Sequence, residues 1–197
     1  MSGTLFVFSA ASGAGKTTLI NRVIPDFPNV VYSVSATTRN PRPGEVDGVH
    51  YFFKTKEEFK RMIEQNELIE WNEVHGNYYG TPKFFVEQKL EEGKDVALDL
   101  DVFGKINFDK IYPQAIGILI LPPSMEDLEK RLKTRGTETR KTLKLRLENA
   151  KKETDFAVTQ GKYQHVIYNG DLEIAIAELK GIMEKYSSFK SSIQSGS

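Results

Sequence analysis

Ser9-Ala-Ala-Ser-Gly-Ala-Gly-Lys-Thr-Thr18 follows directly on the apolar run Leu5-Phe-Val-Phe8. The run reads as a buried strand from Thr4 to Ser9, and Gly15 to Ile24 as a helix stopped by Pro25, so the glycine-containing stretch sits in a strand-turn-helix. That is the context in which G-x-x-x-x-G-K-[ST] cradles phosphate. Gly13 and Gly15 let the backbone turn its N–H groups toward an anion at a helix N-terminus, where unpaired donors and the dipole favour negative charge. Lys16 then reaches the β and γ phosphates, and Thr17 offers its hydroxyl to Mg²⁺. One position departs from the pattern: Ala10 stands where the first glycine is expected. It falls at the strand exit, so its methyl is tolerated if the residue keeps a negative φ.

The remaining chain sets the limits within which the cradle works. At 197 residues, 39% hydrophobic and 27% charged, it suffices for one well-buried core and a small appended unit. With no cysteine, neither disulfides nor thiolate metal sites are available. No apolar run approaches the roughly 20 residues of a membrane span and no signal-like segment opens the chain, so a cytoplasmic setting is expected. The 27 basic and 27 acidic residues cancel, which gives no reason to expect a nucleic-acid binder. Locally the charges separate. Arg131 to Lys152 is basic, interrupted only by Glu138 and Glu148, whereas Glu67, Glu70 and Glu73 gather around Trp71.

Periodicity places the other elements. Val30 to Ser35 and Val49 to Phe53 read as short strands flanking the turn-rich Arg39-Asn-Pro-Arg-Pro-Gly-Glu45. A helix from Thr55 to about Gln65 opens with a Thr-x-x-Glu capping pattern, and Leu68 to Val74 returns to strand character. After a helix over Pro82 to Glu91, the segments Asp95 to Leu100, Ala115 to Leu121 and Val166 to Tyr168 read as buried strands. Met125 to Lys133, Glu138 to Glu153 and Asp171 to Tyr186 read as helices, the second with Leu143, Leu147 and Ala150 on one narrow face. The pattern predicts a parallel α/β core with a β-rich insertion at 36–82 and a second, helical excursion.

A cradle alone fits GTPases, motor and transport ATPases and small-molecule kinases. Seven further segments narrow the choice: Ser35-Ala-Thr-Thr-Arg-Asn-Pro-Arg-Pro-Gly-Glu45, Gly48-Val-His-Tyr51, Leu68-Ile-Glu70, Gly76-Asn-Tyr-Tyr-Gly80, Asp99-Leu-Asp101, Arg135-Gly-Thr137 and Tyr168-Asn169. With the cradle, in this order and spacing, the chain resembles the guanylate kinase family up to about residue 185. The resemblance implies a P-loop NTPase-type parallel sheet flanked by helices. It divides the chain into a discontinuous core (1–35, 83–130 and 160–190), a GMP-binding subdomain (36–82), a lid (131–159) and a flexible tail (187–197).

The implied activity is ATP-dependent phosphorylation of GMP, with dGMP as a further acceptor, in purine nucleotide metabolism. ATP would lie on Ala11, Ser12, Gly13, Ala14, Gly15, Lys16, Thr17, Thr18, Arg131, Arg135 and Asn169. The resemblance assigns the GMP phosphate to Arg39, Arg42, Tyr51 and Tyr79, and guanine to Glu70 and Asp101 with Ser35 and Thr81. Guanine presents N1–H and a 2-amino group as donors, so a carboxylate is its natural reader; adenine presents a lone pair at N1 and is rejected. Lys16, Arg39, Arg135 and Arg146 are the expected catalytic groups, and Asp99 joins Thr17 at the Mg²⁺ site through water. Neither nucleic acid, membrane nor an obligate protein partner is implied.

Two departures from the family stand out. Phe103 replaces the glutamine common after Asp-x-Asp-x, and an aromatic ring supplies none of the amide's donors or acceptors. Arg140 and Lys141 stand where acidic residues are common, on what reads as a solvated face. The histidines His50, His75 and His165 are expected to be structural. The alternative is a catalytically silent guanylate-kinase-like domain that binds a phosphorylated peptide in the old GMP site, against which an intact Lys16 and Thr17 argue. Another is a kinase of a different nucleoside monophosphate, which Glu70 disfavours.

Overall fold

The computed structural model describes residues 3–74, 76–134 and 140–188. Residues 135–139, and with them Arg135, lie outside the described residues, as do His75 and the side chains of Arg140 and Lys141.

Five parallel strands form the central sheet: β1 (Leu5–Ala10), β2 (Val30–Tyr32), β7 (Asp95–Asp99), β8 (Ile116–Leu121) and β9 (His165–Tyr168), in the order β2-β7-β1-β8-β9. Parallel strands covered on both faces read as continuous apolar runs. β1 shows why. Phe6 and Phe8 point into a core shared with Leu19, Ile20, Leu179 and Met183, while Leu5 and Val7 face the opposite way onto Val86 and Phe108. The first face is closed by α1 (Lys16–Val23) and α7 (Leu172–Tyr186), the second by α3 (Lys83–Glu91) and α4 (Val102–Ile111). β1 is thus buried on both sides at the centre of the sheet, and the loop to α1 leaves its C-terminal end.

A second, four-stranded sheet is built wholly from residues 36–82. It comprises β3 (Ala36–Thr37), β4 (Phe52–Phe53), β5 (Leu68–Val74) and β6 (Asn77–Pro82) in the order β4-β3-β6-β5, with α2 (Lys56–Glu64) beside it. Thr55 caps α2 in a reciprocal box with Glu58, as its spacing predicts. α5 (Met125–Thr134) packs through Leu128 and Leu132 on Ala11, Leu143, Leu147 and Ala150, the last three from α6 (Arg140–Gln160).

Several elements differ from expectation. α4 is unpredicted: Asp101 caps it by accepting the Phe103 and Gly104 N–H groups at 2.9 and 2.6 Å, in a segment whose carboxylates drew a functional reading. β4 is confined to Phe52–Phe53 because Val46 to His50 turns back on itself, the Val49 and His50 N–H groups both donating to the Val46 carbonyl. α6 runs on to Gln160, beyond the expected Glu153. Proline does not end the first helical segment abruptly; α1 stops at Val23 and tightens into a 3₁₀ turn, Ile24–Asp26, which holds Pro25 near its start. The expected tail does not begin free, for Ser187 and Ser188 both bond through their hydroxyls to the buried Asp95 at 2.6 Å.

Candidate functional site

The loop between β1 and α1 has the conformation its glycines allow. Gly13 and Gly15 have φ of 93° and 92°, in the left-handed region that other residues avoid. A methyl on Gly13 would also stand 2.9 Å from Leu128. Ala10 keeps a negative φ, so its methyl is harmless, and Ala10 to Thr18 enclose a cavity of about 220 Å³. Thr17 and Thr18 are exposed at its end. Lys16 is ion-paired with Asp99 at the C-terminal end of β7, and Tyr32 donates to the other Asp99 oxygen at 3.2 Å.

Two arginines and a carboxylate brace the loop from outside. Arg131 donates to the Asn169 carbonyl at 2.5 Å and to the Ala14 carbonyl at 3.4 Å, while the Asn169 amide donates to the same Ala14 oxygen at 2.9 Å. A second, shallower cavity of about 490 Å³ opens there, with Gly13, Gly15, Thr18, Arg131, Asn169 and Gly170 among its walls. From α6, Arg146 reaches the Ser12 hydroxyl at 3.5 Å, and Glu153 accepts the Ser12 N–H at 3.2 Å. Burial raises the Glu153 pKa, and the Ser12 bond opposes that shift. Neither Glu153 nor Tyr32 is visible as a site residue in the sequence, because each meets its partner across the fold.

A deeper cavity of about 260 Å³ lies between the two sheets. It gathers Ser35, Tyr51, Glu70, Tyr79, Asp99 and Asp101, six residues drawn from five separate motifs. Asp99 therefore joins this cavity to the phosphate loop. Glu70 accepts from the Thr81 hydroxyl at 2.6 Å. Burial pushes the Glu70 pKa up to about 7; the Thr81 bond opposes the shift and the nearby Asp101 charge adds to it. Gly104 allows this crowding, since a methyl there would lie 2.8 Å from Glu70 Oε2. Thr81 is itself 1% exposed, and its hydroxyl donates to Glu70, which orients that carboxylate.

Arg39 and Arg42 do not line this cavity. Arg39 forms a two-pronged pair with Glu45, 2.9 Å on each side, with its guanidinium 5.3 Å from the centre of the Tyr51 ring; Arg42 is exposed, and its N–H donates to Glu45 at 2.7 Å. The Arg39 guanidinium and Arg42 N–H hold the Glu45 carboxyl down at about 2. Glu45 thus ties the Arg39 side chain to the Arg42 backbone, a role its place in the motif did not reveal. His50 accepts the Val46 N–H at 3.0 Å and also lines the cavity, while His165 meets the Tyr186 hydroxyl at 3.3 Å. Phe103 packs on Phe156 of α6 with ring centres 4.5 Å apart.

A phosphate cradle and a two-carboxylate pocket joined at one aspartate have the layout of a nucleotide phosphotransferase. The family model described as guanylate kinase matches residues 2–186. The chain belongs to the guanylate kinase family. Curated guanylate kinases support the assignment along most of their length. The Desulfitobacterium hafniense protein is 45% identical over 181 residues, covering 92% of this chain and 89% of its own, and the Shewanella violacea protein is 48% identical over 182, covering 92% and 86%. The crystal structure of guanylate kinase from Anaplasma phagocytophilum matches with a TM-score of 0.72 at 32% identity, covering 95% of this chain and 88% of that one. Like that family, this one is a parallel sheet flanked by helices, and no described helix is long and apolar enough to cross a membrane.

The donor set for a metal is sparse and hard. No group of three or more His, Asp or Glu residues capable of enclosing a cation occurs among the described residues. The Thr17 hydroxyl and the Asp99 carboxylate offer oxygen atoms, the donor type that suits Mg²⁺, an ion that keeps several waters and takes its other ligands from nucleotide phosphates.

Proposed function

We propose that the protein is a guanylate kinase that converts ATP and GMP, and dGMP likewise, to ADP and the guanosine diphosphate, in the cytoplasm. The observation that carries the substrate choice is the Glu70 and Asp101 pair in the cavity beside the cradle. Two carboxylates suit a base whose edge offers two adjacent donors and oppose one that offers a lone pair.

ATP lies with its phosphates on the amides of residues 11–18 and its nucleoside toward Arg131 and Asn169. GMP enters the deeper cavity, with guanine toward Glu70, Asp101 and Ser35 and its phosphate toward Arg39, Arg42, Tyr51 and Tyr79. A GMP phosphate oxygen attacks the γ phosphorus in line; the new P–O bond forms as the bond to the ADP oxygen breaks. The attacking oxygen is already anionic, so no general base is needed. Lys16, held on Asp99 in this structure, exchanges that partner for the transferring phosphoryl group, and Arg146 moves in with α6. Arg135 belongs to the same clamp. Thr17, and Asp99 through water, would hold Mg²⁺, which would supply further charge neutralisation on the phosphates. Residues 36–82 and 131–159 close over the substrates and exclude water, which would otherwise take the phosphoryl group.

Phosphorus NMR of the protein with ATP, Mg²⁺ and GMP is the direct test. Appearance of GDP and ADP resonances at equal rates is expected. Appearance of inorganic phosphate with no GDP would reject the transfer to GMP, and a spectrum without change would return the domain to the phosphopeptide-binding alternative.

A further inference from the structure

Asn72 stands two residues beyond Glu70 on β5, past a register irregularity between Leu68 and Trp71, and lines the same cavity. Its carboxamide is oriented from both ends. The oxygen accepts the Glu73 N–H at 2.8 Å, which turns the amino group toward Asp101, and Nδ2 donates to Asp101 Oδ2 at 3.0 Å. The other Asp101 oxygen is committed to the N-terminus of α4 through Phe103 and Gly104. The carboxylate is therefore stopped on one side by backbone and on the other by a side chain, with the face between them open to the cavity.

We propose that Asn72 is a positioning residue for guanine recognition, which holds the Asp101 carboxylate in the orientation that meets the donor edge of the base. This rests on the guanine-binding reading of the cavity and adds to it a residue that neither the family motifs nor the cradle assigns. The chemistry requires a donor at this position. Glu70 and Asp101 already crowd one side of the pocket with acceptors, and the Asn72 amino group is what lets a third polar side chain approach without adding repulsion. An aspartate of the same shape would turn the contact from attraction to repulsion.

The test is GMP binding by calorimetry and steady-state kinetics on the wild type, Asn72→Ala, Asn72→Asp, Asp101→Asn and the Asn72→Ala/Asp101→Asn double variant. Loss of a partly exposed bond to a carboxylate is expected to weaken GMP about three- to tenfold in Asn72→Ala, and further in Asn72→Asp. In Asn72→Ala the loss should fall on the KM for GMP, with the KM for ATP held within about twofold, since the cradle is untouched. In the Asp101→Asn background, removing Asn72 should add little, because its target has gone. Unchanged GMP affinity in both Asn72 variants, with or without a lowered Tm, would overturn the proposal, as would additive losses in the double variant. A wild type that binds no GMP would instead overturn the guanine-binding reading, and the proposal with it.

Discussion

If Glu70 reads guanine as proposed, GMP affinity should depend on pH by an amount that follows from its raised pKa. A protonated carboxyl meets the guanine donors with a proton of its own, so binding requires the ionised form. With the free-protein pKa at about 7, lowering pH from 8.5 to 6.5 cuts the ionised fraction and should weaken GMP about fourfold. Below that, affinity should fall about tenfold per pH unit while Glu70 alone titrates. The GMP phosphate also takes up a proton, but with a second pKa near about 6 it contributes only about 1.3-fold over the same interval. Calorimetry of GMP binding across pH 6.5 to 8.5, on the wild type and on Glu70→Gln, separates the two. Glu70→Gln binds more weakly throughout and should retain only the phosphate's dependence. A wild-type ratio no larger than that of Glu70→Gln would refute the assignment of the ionised Glu70 as guanine reader.

The same carboxylate should cost stability. Its folded pKa lies above the unfolded value of about 4.5, so the folded state binds more protons between them and stability falls as pH rises through that window. Thermal melts should therefore show Glu70→Gln more stable than the wild type at pH 8, by about 1–3 kcal/mol, with the difference gone near pH 4.5. Gly15→Ala must force a residue with a side chain to a φ of 92° against Asn169, and should raise the KM for ATP while lowering Tm. Asp95→Ala should lose about 2–4 kcal/mol in urea titration, because the part-buried Thr4 N–H and the Ser187 and Ser188 hydroxyls lose their acceptor, while GMP affinity is unchanged.

What could be read from the residues was what is local in the chain. The cradle follows from a strand, two glycines and a lysine within a single turn, and the Thr55 and Glu58 box from two residues three apart. α4 escaped because its cap is Asp101, whose chemistry suggested ligand binding, and because Gly104 breaks a helical run while serving the approach of Glu70. β6 escaped because Gly80 and Pro82 are poor strand residues; the strand survives through its pairing with β3 and β5. Contacts between distant segments were illegible in principle. Glu153 on Ser12, Tyr32 on Asp99 and Asn72 on Asp101 join residues that no spacing rule connects. Phe103 was legible as a departure, and its partner Phe156 was not, since the pair is made by the packing of α6 on α4.

The most direct measurement is kcat/KM for ADP formation with ATP and Mg²⁺, taken separately with GMP, AMP, CMP and UMP on the wild type and on Lys16→Ala. Turnover confined to GMP, and reduced at least about a hundredfold in Lys16→Ala, is the predicted result. Equal turnover of AMP and GMP would contradict guanine recognition by Glu70 and Asp101, and full activity in Lys16→Ala would contradict the cradle.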